Sequence, residues 1–449
     1  MADVAETTGL NRFSYEVQLL CTNIKKQLAS YILILIIIGL AALGMAWMPA
    51  FTKATKISYS IVYVAAGAVL FATAGNYLPL PDPIAENAIT VRLTEMIVII
   101  SLMGSGLKID RPFSLKHWRV PLRLMSISMI LSIAGVTAIA YYGLGFGLAA
   151  AALLGAVLAP TDPVLAADVQ VGAPMEGDRS HTNMALTAEA GMNDGTAFPF
   201  TWLAIMLANG ELAADGWGGW LQYELFYKLA AGVAIGYLLG KALGWLFFKL
   251  PAEVAGAKIR DGFVAVCATL LVYGVTEAAH GYGFISVFVC AVTMRGMERH
   301  HKMHKALHEF TDQIERLLLC IVLLLFGGSL VSGLLDELDG MLVAAGLFFV
   351  FVLRPVIGVV SLWGTQLHFK EKLAIGFFGI KGIGSFYYLA FALAQTTFQG
   401  TGKLWALTAF TVLLSIIVHG LTATSIMKKL EVRFKEETPP SDRKQQVNK

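Results

Sequence analysis

Two prolines interrupt an apolar run of this sequence and enclose an acid. Pro160 and Pro163 flank Thr161 and Asp162 within a run from about residue 146 to residue 171. Each proline removes a backbone donor and disrupts a helix, so the pair predicts a helix that opens part-way along its length. The carbonyls and half-helix ends freed by the break can line a cation cavity around Asp162. The alternative is a helix end at the surface, with Asp162 as its N-cap residue.

A second polar cluster lies in the next apolar run, in the stretch TAEAGMNDGTAF. Glu189 and Asn193 are four residues apart and share one face of a helix. Asp194 is the next residue, about 100° further round that helix. If Asp162 and Asp194 face one cavity, their oxygens suit a hard cation such as Na⁺. The alternative is a structural polar network between helices.

Two basic residues also lie within apolar surroundings. Arg354 follows five apolar residues, 349–353. A buried guanidinium cannot shed its charge, so we expect it to pair with Glu189; the alternative is that it reaches the membrane interface. Lys381 lies among the glycines of GIKGIGS, which predict a second interrupted helix. The alternative there is close helix packing with Lys381 near an interface.

The composition shows what must position these residues. Hydrophobic residues make up 56% of the 449-residue chain, charged residues 14%, and the mean hydropathy is +0.66. An average soluble domain is about 45–50% apolar and about 25% charged, so a soluble protein and a disordered chain are both excluded. The apolar runs are continuous and about 20 residues long, which is typical of membrane-spanning helices. The cysteines carry no CxxC pair, and we expect small core residues rather than disulfides or metal ligands.

The runs predict an all-α membrane protein with about thirteen transmembrane helices. The two interruptions would be seven spans apart, an offset that fits inverted repeats with the binding site between them. We expect an N-terminal segment at 1–28, a transmembrane domain at 29–428 and a cytoplasmic tail at 429–449. The predicted spans are roughly 29–48, 57–79, 92–107, 119–142, 146–171, 183–208, 222–248, 262–279, 281–296, 315–333, 340–363, 372–395 and 403–426.

The loops between these spans alternate in charge. Lys and Arg concentrate in every second loop and in the C-terminal tail, whereas 209–220 and 332–340 contain none. Because cytoplasmic loops carry the excess of Lys and Arg, we expect a multi-pass protein of the cell membrane with a cytoplasmic C-terminus. Lys25 and Lys26 do not fit this pattern.

The buried acids suggest an exchange reaction. Burial disfavours the charged form of a carboxylate, so a proton and a cation compete for one group. Competition combined with alternating access gives cation/proton exchange, which is electroneutral if Asp194 alone carries the exchanged charge. We expect Na⁺ as the cation, with Li⁺ or K⁺ as alternatives, and no cofactor, resident metal or nucleic-acid partner. A K⁺/H⁺ antiporter and a cation channel stay open, whereas a membrane-embedded enzyme is disfavoured because no HExxH or other catalytic motif is present.

These motifs together resemble the electroneutral sodium/proton antiporters of the bacterial NhaP and animal sodium–hydrogen exchanger type. The resemblance rests on PTDPV followed by E-x-x-x-N-D-G, with GFISVFVCAV at 283–292, LRP at 353–355 and GIKGIGS at 379–385. It implies an antiporter fold of thirteen helices with two broken, crossing helices, and a homodimer in which a core domain moves against a dimerisation domain.

The resemblance also implies roles for single residues. Asp194 resembles the carboxylate that binds the ion and the proton. Asp162 and Thr161 would belong to the broken-helix part of the site, and Asn193 would support the crossing. Glu189 and Arg354 would form a structural ion pair, and the residues supporting the broken helices would be Pro160, Pro163, Lys381 and Gly382.

The sequence departs from the family pattern at three places. Ala190 stands where the family often has Ser, and Lys381 stands where it has Arg in a GLRG motif. Some members carry an acid in the third span, where this chain has Gly104 or Ser105, and Glu95 lies more than two turns earlier. The departures leave fewer oxygen ligands, so they bear on ion selectivity.

A histidine cluster precedes the tenth predicted span. His300, His304 and His308 are spaced at four-residue intervals and could share a helix face. We expect a solvated cytoplasmic helix here; a pH sensor and a metal site are the alternatives.

Overall fold

Every regular element that the structure describes is a helix. The computed structural model describes residues 28, 30–75, 77–110, 114–166, 169–172, 174, 181–248, 262–297 and 303–437. We number the main helices in chain order: α1 Ser30–Met45, α2 Met48–Thr55, α3 Tyr59–Ala74, α4 Asn87–Lys108, α5 Trp118–Gly143, α6 Leu148–Leu158, α7 His181–Thr196, α8 Phe198–Asn209, α9 Gly216–Phe248, α10 Phe263–Ala278, α11 Gly283–Gly296, α12 Met303–Val331, α13 Gly340–Ser361, α14 Phe369–Phe377, α15 Ile383–Gln395 and α16 Thr401–Glu437. A short helical segment, Glu211–Gly219, runs into α9 through a kink at Gly216.

The long apolar runs form the long helices, as their composition requires. Within the described residues, six helices are long and apolar enough to cross a membrane: α4, α5, α9, α12, α13 and the apolar part of α16. α1 and α2 together would make a seventh span, bent by 56°. Each predicted run contains at least one helical segment, but several of these segments are short. The number of thirteen crossings therefore stays a prediction. α16 continues to Glu437, past the predicted start of the tail at 429.

Glycines allow several helices to approach closely. Where α3 crosses α12, a methyl group on Gly67 would lie 2.2 Å from the carbonyl oxygen of Leu324. A methyl on Gly327 would lie 2.1 Å from the carbonyl oxygen of Val64. Along α9, the glycines at 232, 236, 240 and 244 all face the segment 282–297, which contains α11. Close backbone contact of this kind replaces the hydrophobic effect, which supplies no force between helices in lipid.

Helix α4 forms the centre of the packed helices, and α9 lies at their edge. Every residue of Ile97–Leu107 is buried, so α4 is enclosed on all sides. On α9, by contrast, Tyr237, Leu238 and Trp245 are exposed, as is expected of a face that contacts lipid.

Two helices are interrupted, and the interruptions meet. α6 ends at Leu158, and the chain is non-helical through the prolines that follow. α14 ends at Phe377, and α15 begins only at Ile383. The Asp162 amide donates a hydrogen bond to the Ile380 carbonyl over 2.8 Å, which joins one interruption to the other. The described part of the fold is therefore an all-α arrangement with two broken helices that cross.

The expected solvated histidine helix is wrong for the two described members of the cluster. α12 begins at Met303, earlier than the predicted span at 315, and His304 and His308 are both buried in it. The His304 ring packs 4.5 Å from the ring of Phe248. Lys and Glu residues on the other faces of this turn lowered the local hydropathy and hid the apolar contact. His300 lies outside the described residues, within which no group of three His, Cys, Asp or Glu could hold a metal ion.

Candidate functional site

Backbone amides donate hydrogen bonds to both oxygens of the Asp162 carboxylate. Its Oδ1 accepts hydrogen bonds from the amides of Val164 and Leu165, over 2.7 and 3.0 Å. Its Oδ2 accepts from the amide of Gly384, over 3.1 Å, in the first turn of α15. Asp162 is buried rather than at a surface helix end, and it acts as a cap for both interruptions at once. A methyl group on Gly382 would lie 2.5 Å from Oδ2, so the crossing has no room for a side chain there.

Lys381 replaces a donor that proline removes. In a continuous helix the carbonyl of Ala159 would accept from the amide of residue 163, but Pro163 has none. Lys381 Nζ donates to the Ala159 carbonyl over 2.7 Å and to the Pro160 carbonyl over 2.8 Å. Its amide donates to Ser415 Oγ on α16. Lys381 is 1% exposed, so it lies at the crossing and not near an interface, with its charge at the negative end of α6.

Asp194 differs from Asp162 in having a free carboxylate. It is 1% exposed, and neither Oδ1 nor Oδ2 has a hydrogen-bond partner among the described residues. A methyl group on Gly384 would lie 3.0 Å from Asp194 Oδ1, and the amide of Gly384 binds Asp162. Both acids therefore converge on the start of α15. A buried carboxylate without a partner is costly, so burial favours a form of Asp194 neutralised by a proton or a cation.

Asn193 connects the polar groups on the neighbouring face. Its Nδ2 lies 3.4 Å from both Thr161 Oγ1 and Glu189 Oε1. Its Oδ1 has no hydrogen-bond partner among the described residues and is an available oxygen ligand beside Asp194. Asn193 thus links the first interruption to α7.

Arg354 and Glu189 form a buried ion pair. Arg354 Nη2 donates to Glu189 Oε1, and its Nη1 donates to Ser128 Oγ on α5. Arg354 is 2% exposed and Glu189 is fully buried, so the arginine does not reach an interface. A methyl group on Gly379 would lie 2.0 Å from Arg354 Nε, so the guanidinium packs directly on the second interruption. The pair neutralises Glu189 and leaves Asp194 as the free acid.

Aromatic rings close one side of the site. The Tyr388 hydroxyl donates to the backbone carbonyl of Asp194. The Phe198 ring lies 5.3 Å from that of Tyr388 and 5.0 Å from that of Phe284, both edge to face. These rings pack in one buried cluster, which contacts Asp194 through Tyr388.

Some residues of the site gave no clear signal in the sequence. Ser128, Ser415 and Tyr388 each make one hydrogen bond to the site from another helix. A lone hydroxyl in an apolar run is common, so only its partner marks it as important. His419 was equally hidden: its ring contacts Ser415 Oγ over 2.9 Å and the Phe377 carbonyl over 3.0 Å.

Comparison with known proteins decides the family. A family model described as "Sodium/hydrogen exchanger, transmembrane" matches residues 27–429. The chain belongs to the sodium/hydrogen exchanger family. The Na⁺/H⁺ antiporter NhaH of Halobacillus dabanensis is 27% identical over 89% of this chain and 97% of its own length. The Na⁺/H⁺ antiporter 2 of Zygosaccharomyces rouxii is 24% identical over 76% of this chain and 46% of its own length. The chain spans about half the length, or less, of several relatives that it matches.

A solved structure shows the same fold. The sodium proton antiporter MjNhaP1 from Methanocaldococcus jannaschii superposes with a TM-score of 0.68. The match covers 89% of this chain and 99% of that protein at 17% sequence identity. The expected antiporter fold is therefore confirmed, although the identity is too low to transfer more than the fold.

Proposed function

We propose that this protein exchanges a monovalent cation for a proton across a membrane, and that Asp194 binds each ion in turn. One observation carries the proposal: Asp194 is a buried carboxylate whose two oxygens have no hydrogen-bond partner among the described residues, beside two crossing interrupted helices. Family membership supports it, since relatives such as NhaH are named Na⁺/H⁺ antiporters.

The electrostatics of the site make the exchange obligatory. An unpaired carboxylate in a low-dielectric interior costs on the order of several kcal/mol, so a site without a bound ion resists a change in its access to the two sides of the membrane. A bound proton or a bound monovalent cation lowers this cost, and either one allows the site to change its access. Asp162 already binds three backbone amides, so Asp194 alone exchanges charge. One proton then moves for one cation, and transport is electroneutral.

Sodium is the proposed cation, and potassium is the second candidate. The free oxygens beside Asp194 are few, since Ala190 supplies no hydroxyl and Asn193 Oδ1 is the nearest unpartnered amide oxygen on α7. A K⁺/H⁺ antiporter NhaP of Alkalimonas amylolytica is 28% identical over 64% of this chain, which keeps K⁺ as an alternative.

The proposal includes the membrane location, the topology and the oligomeric state of the protein. The charge pattern of the loops supports a cell-membrane protein with its C-terminus in the cytoplasm. The resemblance supports a homodimer. The packed aromatic rings beside Asp194 support a carrier rather than a channel. An enzyme is disfavoured because the sequence contains no recognisable catalytic motif.

The test uses purified protein in liposomes that contain a pH dye. With an imposed proton gradient, added Na⁺, Li⁺ or K⁺ should collapse the gradient in the wild type and not in Asp194→Asn. Because protons compete for the same carboxylate, lowering the pH should raise the apparent KM for the cation and leave the maximal rate unchanged.

Asp339→Asn is the matched control. Asp339 is an exposed acid that caps α13 through the amides of Met341 and Leu342, and asparagine caps equally well. The control should transport like the wild type. Gradient collapse that persists in Asp194→Asn, or that is absent from the wild type in tight vesicles with all three cations, would refute the proposal.

A further inference from the structure

A second acid approaches the site from a different helix. Glu315 lies on α12, where that helix packs against α4. Its Oε2 would lie 3.6 Å from a methyl group on Gly104, and Thr311 Oγ1 would lie 3.8 Å from the same methyl. The missing side chain at Gly104 therefore leaves a space that Glu315 and Thr311 both border.

Glu315 has no ion-pair partner within 4.0 Å among the described residues. Arg316 pairs with Asp312 over 3.0 Å, and Lys305 approaches Glu309 over 3.7 Å. Lys108 is the nearest base from α4, but its ammonium donates to Gln170 Oε1 over 3.2 Å. The carboxyl group of Glu315 is left without a direct counter-ion.

Oxygen atoms suitable for a cation surround this carboxyl group. Ser101 faces Glu315 from α4; it is 1% exposed, and its hydroxyl lies within reach of the Glu315 carboxyl. Thr311 Oγ1 donates to the carbonyls of Leu307 and His308, so its lone pairs stay free to bind a cation. A carboxylate and two hydroxyls match the preference of hard cations for oxygen ligands. Glu315 itself is partly exposed, whereas Ser101 and Thr311 are buried.

This group is connected to the crossing of the broken helices. Gln170, which holds Lys108, donates through Nε2 to the carbonyl of Pro163 over 2.8 Å. Asp162 is among the charged groups that act on Glu315. Lys108, which also acts on Glu315, is thus linked through Gln170 to the first interruption. The loop that follows Lys108 belongs to the positively charged set, which the proposed topology places in the cytoplasm.

We propose that Glu315, Ser101 and Thr311 form a second cation site, which takes a monovalent cation from the cytoplasmic side before it reaches Asp194. This proposal rests on the proposed exchange function. The site raises the local cation concentration at the entrance and keeps the exchanged charge on Asp194.

The first test is the kinetics of Glu315→Gln in vesicles of known orientation. With the cation supplied on the Lys108 side, the apparent KM should rise about tenfold, the size of one charged contact in a partly buried site, while the maximal rate is kept. Supplied on the other side, the KM should be unchanged. Glu309→Gln is the matched control, since Glu309 is an exposed acid of the same helix. An unchanged KM, or a lost maximal rate at unchanged KM, would overturn the proposal.

Two further variants guard against a folding defect. Ser101→Ala removes one hydroxyl, and Gly104→Ala fills the space with a methyl at ordinary contact distance from Oε2. Each should raise the same KM without changing any charge, and normal KM values in both would contradict the site.

A binding measurement separates this proposal from the proposed function. Sodium NMR line broadening should persist in Asp194→Asn and disappear in Asp194→Asn combined with Glu315→Gln. Broadening equal in both variants would refute the second site and leave exchange at Asp194 intact. A wild type without any exchange would instead remove the proposed function.

Discussion

Replacing Lys381 with methionine tests whether its ammonium holds the first broken helix. Methionine keeps the length of the side chain but removes the donors to the carbonyls of Ala159 and Pro160. The helix itself supplies no other donor to these carbonyls, because Pro163 lacks an amide hydrogen and the amide of Val164 donates to Asp162. The variant therefore leaves two carbonyls without donors in the buried crossing.

Opposing effects determine how much the free energy of unfolding changes in Lys381→Met. Each orphaned buried carbonyl costs about 1–3 kcal/mol, so the two together cost about 2–6 kcal/mol. Removing the buried ammonium returns part of its desolvation cost, but it also takes a positive charge away from Asp194 and Asp162. We expect a net loss of about 2–4 kcal/mol in the free energy of unfolding, together with loss of transport.

The assay is thermal unfolding in detergent, followed by transport in liposomes. Lys370→Met removes an exposed lysine just before the broken segment and should behave like the wild type. Lys381→Arg keeps the charge and should lose much less stability than Lys381→Met. If Lys381→Met unfolds at the same temperature as the wild type and still transports, the ammonium does not hold the helix, and our account of the crossing is wrong.

Two further substitutions test the packing and the charge balance around the crossing. Gly382→Ala places a methyl 2.5 Å from Asp162 Oδ2 and should cost about 1–3 kcal/mol in thermal unfolding and slow transport, whereas Gly143→Ala, with open space around it, should do neither. Arg354→Met leaves Glu189 charged without its partner and should cost about 3–5 kcal/mol, while adding Glu189→Gln should recover a large part of that loss. A double variant no more stable than Arg354→Met would show that the pairing is not what the arginine contributes.

Local sequence patterns predicted the broken helices because their cause is local. Two prolines close together stop a helix wherever it lies, and glycines around Lys381 mark a second break. Charge balance predicted an acidic partner for Arg354, since an arginine deep in an apolar run requires an acid, and the family resemblance also indicated Glu189. The match to MjNhaP1 confirms the fold that these patterns predicted.

The different states of the two acids could not be predicted in the same way. Asp162 and Asp194 are both aspartates in apolar runs, and what separates them is the set of backbone amides that reach Asp162 alone. One of these amides comes from Gly384, more than two hundred residues away. Hydropathy placed Glu315 at the first position of a predicted span, and its neighbours on α4 are distant in the chain, so its surroundings could not be predicted. Hydropathy placed His304 before the same span, and its contact with Phe248 is likewise distant in the chain.

The crossing has a consequence for how this protein can vary its activity. Asp162 ties the first interruption to α15, and Lys381 ties the second interruption to α6, so each broken helix is fastened by a residue of the other. We expect two segments fastened in this way to move together, so that the oxygen atoms around Asp194 keep their spacing while the surrounding helices shift. On this expectation, substitutions in the crossing change the ion preference, whereas substitutions in the surfaces that move past the crossing change the turnover rate. The two properties can therefore be altered independently, by substitutions in different parts of the chain.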